Sequence, residues 1–227
     1  MTAVHPLDNV IWSALTTQHV DLARGGPLAR RYQPDFARFA GMPAVTPAAF
    51  EALAADMARD EFVALSLPDE VDPGPAFEVL DRKALVQMVG AVAGEPGDPA
   101  GLRALGPADV LAMTALVQLT APGPWFARTA ELGRFVGIEV DGRIVAMAGE
   151  RMRVPGHTEI SAVCCHPDFR GRGWPTELMR RVSRAIVARG ETPFLHALAE
   201  NAPAIALYEK LGMRVRLRSR LLILRRV

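Results

Sequence analysis

One stretch constrains this chain more than any other: Glu159 to Val187. It opens as an apolar, β-favouring run, Ile160 to Cys165, which Pro167 and Asp168 break. A tight, basic, glycine-rich turn follows, Arg170-Gly171-Arg172-Gly173. Then Leu178, Met179, Val182, Ile186 and Val187 recur at helical spacing, with Arg180, Arg181, Arg184 and Arg189 between them. The pattern predicts a strand, a phosphate-sized loop and a helix. A helix start presents N–H groups without helical partners and a partial positive charge, and both favour an anion. Gly171 and Gly173 carry no Cβ, so the backbone can approach such an anion closely.

Two common nucleotide loops share this logic and are excluded by their missing residues. The dinucleotide fingerprint needs a third glycine after Gly171-Arg172-Gly173. The loop of nucleotide triphosphatases needs a Lys-Ser/Thr pair after its last glycine.

The chain has 227 residues, 50% of them hydrophobic, enough for one large domain or two small ones. Lys and Arg number 26 against 25 Asp and Glu, so no global charge draws it to nucleic acid or to an anionic membrane. Its two cysteines, Cys164 and Cys165, are adjacent in an apolar strand, which gives no disulfide framework and fits a reducing compartment. Met1 to Asn9 lacks the basic and apolar order of a signal peptide, and there is no run of about 18 apolar residues. A soluble cytoplasmic protein, without nucleic-acid or membrane partners, is expected.

The segment Gly94 to Gly101 has five Gly or Pro among eight residues and marks a linker. It divides the chain into an N-terminal α+β region, 1–93, and a C-terminal domain, 102–227. In the first region Asp8-Asn9 precedes a short capped helix, and Thr46-Pro47 starts another with Phe50, Leu53, Ala54 and Met57 on one face. Residues 61–65, 77–80 and 85–92 read as strands. His5 and His19 read as surface or capping histidines, and Arg30-Arg31-Tyr32 as a solvated basic patch, with contact to a ligand as the alternative. One origin for this region is a worn relative of the C-terminal fold.

In the second region, residues 102–105 read as a strand and Pro107-Ala108-Asp109 starts a helix. Phe135 to Val140, Ile144 to Arg151 and Thr158 to Cys165 form a meander turned at Asp141-Gly142 and Pro155-Gly156. The glycine loop and its helix come next, then a strand at 194–198, a helix at 202–211 closed by Gly212, and a last strand or pair. Arg214, Arg216, Arg218 and Arg220 alternate along it, so one face of an edge strand is expected to be basic and solvated.

This order, and two motifs within it, resemble the GNAT superfamily of N-acetyltransferases. Arg170-Gly-Arg-Gly173-Trp-Pro175 is similar to the family's acyl-CoA loop, Gln/Arg-x-x-Gly-x-Gly/Ala, with Pro175 departing at the last position. Asn201-Ala-Pro-Ala-Ile-Ala-Leu-Tyr208-Glu-Lys-Leu-Gly-Met213 is similar to Asn-x-x-Ala-x-x-Leu-Tyr-x-x-x-Gly-Phe. The resemblance covers roughly residues 102–227. It implies an α+β fold of GNAT type, with a central mixed, mostly antiparallel sheet flanked by helices beside a smaller α+β N-terminal part.

It also implies a function: acetyl transfer from acetyl-CoA to a small-molecule or protein amine, in a ternary complex and without a metal, by a monomer or homodimer. Arg170, Gly171, Arg172, Gly173, Trp174, Pro175 and Thr176 would hold the pyrophosphate, and Val163, Cys164 and Cys165 would pair with the pantetheine arm. Asn201 shares a helix face with Tyr208 and would point to the cofactor. Tyr208 is the implied general acid, since its ordinary pKa of about 10 lies above a thiol's, at about 8.5; the alternative is a core tyrosine. Glu159 is the implied base, expected on one face with Ser161, Val163 and Cys165; the alternative is an exposed strand-end carboxylate. His196 is either a proton shuttle or a buried, satisfied histidine. A nucleophilic cysteine lacks a supporting histidine beyond His166. An acyl-CoA-binding module without turnover is the competing function. Trp125 and Phe126 suggest an apolar acceptor wall; the alternative is that two loop aromatics simply pack.

Overall fold

The computed structural model describes residues 5–227. Residues 1–4, part of the stretch read above for a leader, lie outside it. The N-terminal region forms α1 (Val10–Thr16), the short strands β1 (Ala23–Gly25), β2 (Arg30–Tyr32) and β3 (Ala40–Gly41), then α2 (Pro47–Ala55), β4 (Phe62–Leu67) and β5 (Phe77–Val89). The C-terminal region forms β6 (Leu102–Leu105), α3 (Val110–Thr120), β7 (Phe135–Val140), β8 (Arg143–Val154), β9 (His157–Cys165), α4 (Trp174–Val187), β10 (Thr192–Leu198), α5 (Ala202–Lys210) and β11 (Arg214–Arg226). Among the described residues, no helix is long and apolar enough to cross a membrane.

β1 to β3 make a small sheet of their own. The other strands form one eight-stranded sheet, β4-β11-β5-β10-β9-β8-β7-β6. Among the described residues, β9 and β10 are the only two strands of this sheet that pair in parallel, so it is mixed and mostly antiparallel. β5, from before the Gly/Pro-rich segment, lies between β10 and β11, from after it. Residues 94–101 therefore connect two strands of one sheet. They run over α4, where Gly97 N–H donates to Glu177, Arg181 reaches Asp98 at 3.1 Å, and Arg184 pairs with Glu95.

The helices divide between the two faces by their apolar stripes. Leu178, Met179, Val182 and Ile186 of α4 pack on Met88, Ile138, Ile160 and Leu195. Each such side chain, fully buried, contributes roughly 1.5–3 kcal/mol. On the opposite face Leu7, Ile11 and Leu15 meet Met152 and Phe194, while Met113 and Leu116 of α3 meet Phe135 and Met147.

Several expectations change. The helix at Pro47 is capped as read: Thr46 Oγ1 accepts from Ala49 N–H at 3.2 Å. Asn9 does not cap α1; its Nδ2 donates to Met42 O at 2.8 Å, tying the helix to the segment after β3. The stretches 77–80 and 85–89 are one strand, because β11 pairs along its whole length, and residues 90–92 lie beyond its end. β11 is an internal strand rather than an edge, with a register shift between Val215 and Leu217 that diverts Arg216. His19 is buried and bonds through Nδ1 to the Tyr32 hydroxyl at 2.8 Å. Arg31 is no solvated patch; buried beside Tyr32, it pairs with Asp56 at 2.7 Å and Glu61 at 3.2 Å.

Candidate active site

The glycine loop is built as its residues dictate. After β9, Pro167–Phe169 form one tight turn, and the chain enters α4 with Pro175 in the first turn. A missing N–H there breaks no helical bond. Gly171 and Gly173 adopt φ of +79° and +73°, and a Cβ at either would meet nothing within 4 Å. Left-handed backbone, not crowding, demands glycine here, and the space beside the loop is open. The N–H groups of Gly171, Arg172 and Gly173 have no acceptor among the described residues. The Arg172 guanidinium lies 5.1 Å from the ring centroids of Phe169 and of Trp174, which stack on each other at 5.9 Å. Arg170 is exposed and Thr176 half-buried. The turn thus gathers N–H donors and two cations at one helix start.

β9 and β10 begin side by side and then part. Their pairing runs only through Thr192↔His157, Pro193↔Thr158 and Phe194↔Glu159. Beyond it β10 stays with β5, and a wedge opens alongside Ile160 to Cys165. Within this stretch β9 carries a bulge. Ser161 faces Gly149 and Cys164 faces Met147, so Ala162 and Val163 together oppose Ala148. Ala162 sits at φ +53°, strained for a residue with a Cβ. The bulge overturns the expected period-two face. Val163 and Cys165 turn to the α4 side, and Ala162 and Cys164 to the α3 side. Burial pushes the Cys164 thiol up to about 11, and burial also raises that of Cys165, so neither is a ready nucleophile.

Glu159 is not an exposed strand-end carboxylate. It is fully buried and holds Arg151 through two 2.8 Å bonds, Nε to Oε2 and Nη2 to Oε1. Met152 N–H adds a 3.3 Å bond and His196 Nδ1 one of 2.7 Å. Burial pushes this carboxyl up, but the charge and hydrogen bonds of Arg151, with those of His196, outweigh it and hold the pKa at about 2. An ionised carboxylate only accepts, so Nδ1 of His196 carries the proton. Its Nε2 lies 3.3 Å from Gln87 Nε2. Gln87 is fixed in turn: Oε1 accepts from Arg216 at 3.1 Å, and Nε2 donates to Leu7 O at 3.0 Å. Arg216 also pairs with Asp8. The remaining Gln87 N–H therefore points at His196 Nε2. Glu159, expected as the base, is thus buried and bonded by Arg151, Met152 and His196. His196 is largely buried and has a partner at both ring nitrogens.

Sequence reasoning missed Arg151, Gln87 and Arg216. A signal existed for the first. Arg151 and Glu159 flank the Pro155-Gly156 turn at near-equal distances, where a hairpin sets opposite charges against each other.

Tyr208 and Asn201 lie on α5. Asn201 is exposed, and its Oδ1 caps the helix by accepting from Ala204 N–H at 3.3 Å. Tyr208 packs half-buried on the α4-side core, and burial raises its pKa. Its hydroxyl has no partner among the described residues and is not sealed off. Tyr208 and Glu159 thus come from opposite faces of the sheet, with the wedge between β9 and β10 as the passage. On the face away from α4, Trp125, Phe135, Arg151 and Ser161 line a cleft against the bulge. Phe126 lies outside it, under Arg38 at 5.6 Å.

Comparison with known proteins adds to this geometry. The family model described as FR47-like protein matches residues 135–222. A protein from Novosphingobium aromaticivorans DSM 12444, assigned to the acetyltransferases of the GNAT family, is 40% identical with a TM-score of 0.90, covering 99% of this chain and 100% of its own. A GCN5-related N-acetyltransferase from Kribbella flavida shares the fold at 22% identity and a TM-score of 0.61, over 96% of this chain and 94% of its own. A search of curated proteins finds no match.

Proposed function

This chain belongs to the GNAT family of acetyltransferases, and on that premise we propose that it moves an acetyl group from acetyl-CoA to an amine directly, within a ternary complex. The observation that carries this reading is the wedge. β9 loses its parallel neighbour after Glu159, and the open glycine loop follows the same strand at once.

Each proposed role rests on a group described above. The N–H groups of Gly171 to Gly173, with Arg170 and Arg172, suit a pyrophosphate; Trp174, Pro175 and Thr176 continue the cradle into α4. The unpaired side of Val163, Cys164 and Cys165 suits an extended amide-bearing arm, and one N–H there would polarise the thioester carbonyl. Asn201 serves by starting the helix that presents Tyr208. The neutral amine attacks the thioester carbon, the C–S bond breaks, and the Tyr208 hydroxyl gives its proton to the departing thiolate. A raised pKa keeps that proton in place at neutral pH. The proton shed by the amine goes to water, since Glu159 is held at about pKa 2 and His196 is bonded at both nitrogens.

The test is release of free thiol from acetyl-CoA with a panel of amines. Tyr208→Phe is expected to lower kcat by about 10²–10⁴-fold while leaving CoA binding in place. The sealed state of Glu159 and His196 favours a second reading, an acyl-CoA-binding module without turnover. CoA binding with no thiol release from any amine would establish it.

A further inference from the structure

The cleft opposite α4 points to the chemical class of the acceptor, an inference that rests on the acetyl-transfer reading. Its walls are apolar and preset. Trp125 Nε1 donates to Thr114 Oγ1 at 3.0 Å, and its ring meets Phe135 edge-on at 5.6 Å. Pro122 and Pro124 stiffen the loop above. Arg151 and Ser161 also line the cleft. Arg151 gives Nε and Nη2 to Glu159 and rests on the Phe39 ring at 4.9 Å. Its Nη1 has no acceptor among the described residues, and the side chain keeps 13% exposure. The Ser161 hydroxyl is likewise without a partner there. Among the described residues Arg151 is the one charged residue lining the cleft, and no acidic side chain does.

A guanidinium nitrogen and a hydroxyl that line the same apolar cleft, both without partners, are a donor set for a carboxylate. A second ammonium group, as in a polyamine or a lysine-rich peptide, would find no carboxylate free to receive it, since Glu159 is already held by Arg151. We propose that the acceptor is an amine bearing a carboxylate, of amino-acid type. Arg151 Nη1 and Ser161 hold the carboxylate, and the amine turns toward the wedge. Glu159 is then a positioning residue: it clamps one edge of the guanidinium so that the other is presented to the cleft.

The experiment compares amino acids with their own primary amides, by thiol release from acetyl-CoA. Each kcat/KM is referred to the neutral form of the amine, because amidation alters its pKa. The acids should exceed their amides by about 10- to 100-fold. Ser161→Ala should shrink that ratio, and Ser161→Asp should invert it by placing a like charge against the carboxylate. Arg151 is left in place, since its removal strands Glu159. Equal or better use of the amides, an unchanged ratio in both Ser161 variants, or no turnover of any acid overturns the proposal. In the last case calorimetry with CoA separates the two readings. Retained CoA binding, with thiol release from other amines, sinks this inference alone; lost binding, or no release from any amine, sinks the acetyl-transfer reading with it.

Discussion

The two ends of β9 carry polar regions built on opposite plans. Beyond its C-terminal end, the turn from Arg170 to Thr176 leaves N–H groups without acceptors and glycines facing open space. Toward its start, Glu159 is wrapped by Arg151, Met152 N–H and His196, and His196 by Gln87. The first region is local and drawn from consecutive residues. The second joins Leu7, Asp8, Gln87, Arg151, Glu159, His196 and Arg216, from both halves of the chain. What a polar group can do for a ligand depends on what its neighbours leave unbonded. The open region suits binding, and the closed one holds strands and one guanidinium in register.

The largest effect expected from breaking this contrast is Glu159→Ala. It leaves Arg151 without a counter-charge, and denaturant titration should show a loss of about 3–5 kcal/mol. A loss near zero would mean the closed region is not structural. Next comes acid. The unfolded chain takes up a proton on His19 near pH 6.5, whereas burial holds the folded His19 at about 4. Stability should therefore fall as pH drops from 6.5 toward 4, by up to roughly 3 kcal/mol. Glu159 acts in a lower window. Its unfolded value of 4.5 falls to about 2 on folding, so its contribution is present above 4.5 and lost on the way to 2. Urea midpoints measured across pH, with His19→Gln flattening the upper window, test both.

The open region should respond in the other sense. Gly173→Val forces a Cβ into left-handed backbone, costing about 1–2 kcal/mol, but meets no neighbour. Its thermal unfolding should shift far less than that of Glu159→Ala. The smallest effect is at the bulge. Ala162→Gly relieves the same kind of strain and should stabilise by about 0.5–1 kcal/mol after the entropy cost of glycine. A destabilised variant would show that the Ala162 methyl packs more than its backbone strains.

The contrast also explains what could be read from the chain beforehand. The strand-loop-helix at 159–187 was legible because its donors are main-chain groups set by glycine, proline and an apolar stripe. The meander was legible from Asp141-Gly142 and Pro155-Gly156. The closed region was not. Gln87 is one residue within a stretch read as a strand, and Arg216 one of four alternating arginines. Neither shows in sequence that β5 and β11 lie together or that a register shift diverts Arg216. The bulge was hidden for a similar reason: alanine carries no mark of a left-handed conformation, so Ser161 and Val163 were assigned one face. The linker composition of 94–101 was real, but composition does not say whether the flanking strands share a sheet.

The most direct test of the account is calorimetric titration of CoA into the folded wild type and into Gly173→Val. The account predicts saturable binding to the wild type, weakened at least about tenfold in the variant as the loop N–H groups are turned from the pyrophosphate. No binding to the folded wild type, or equal affinity in both proteins, would contradict it.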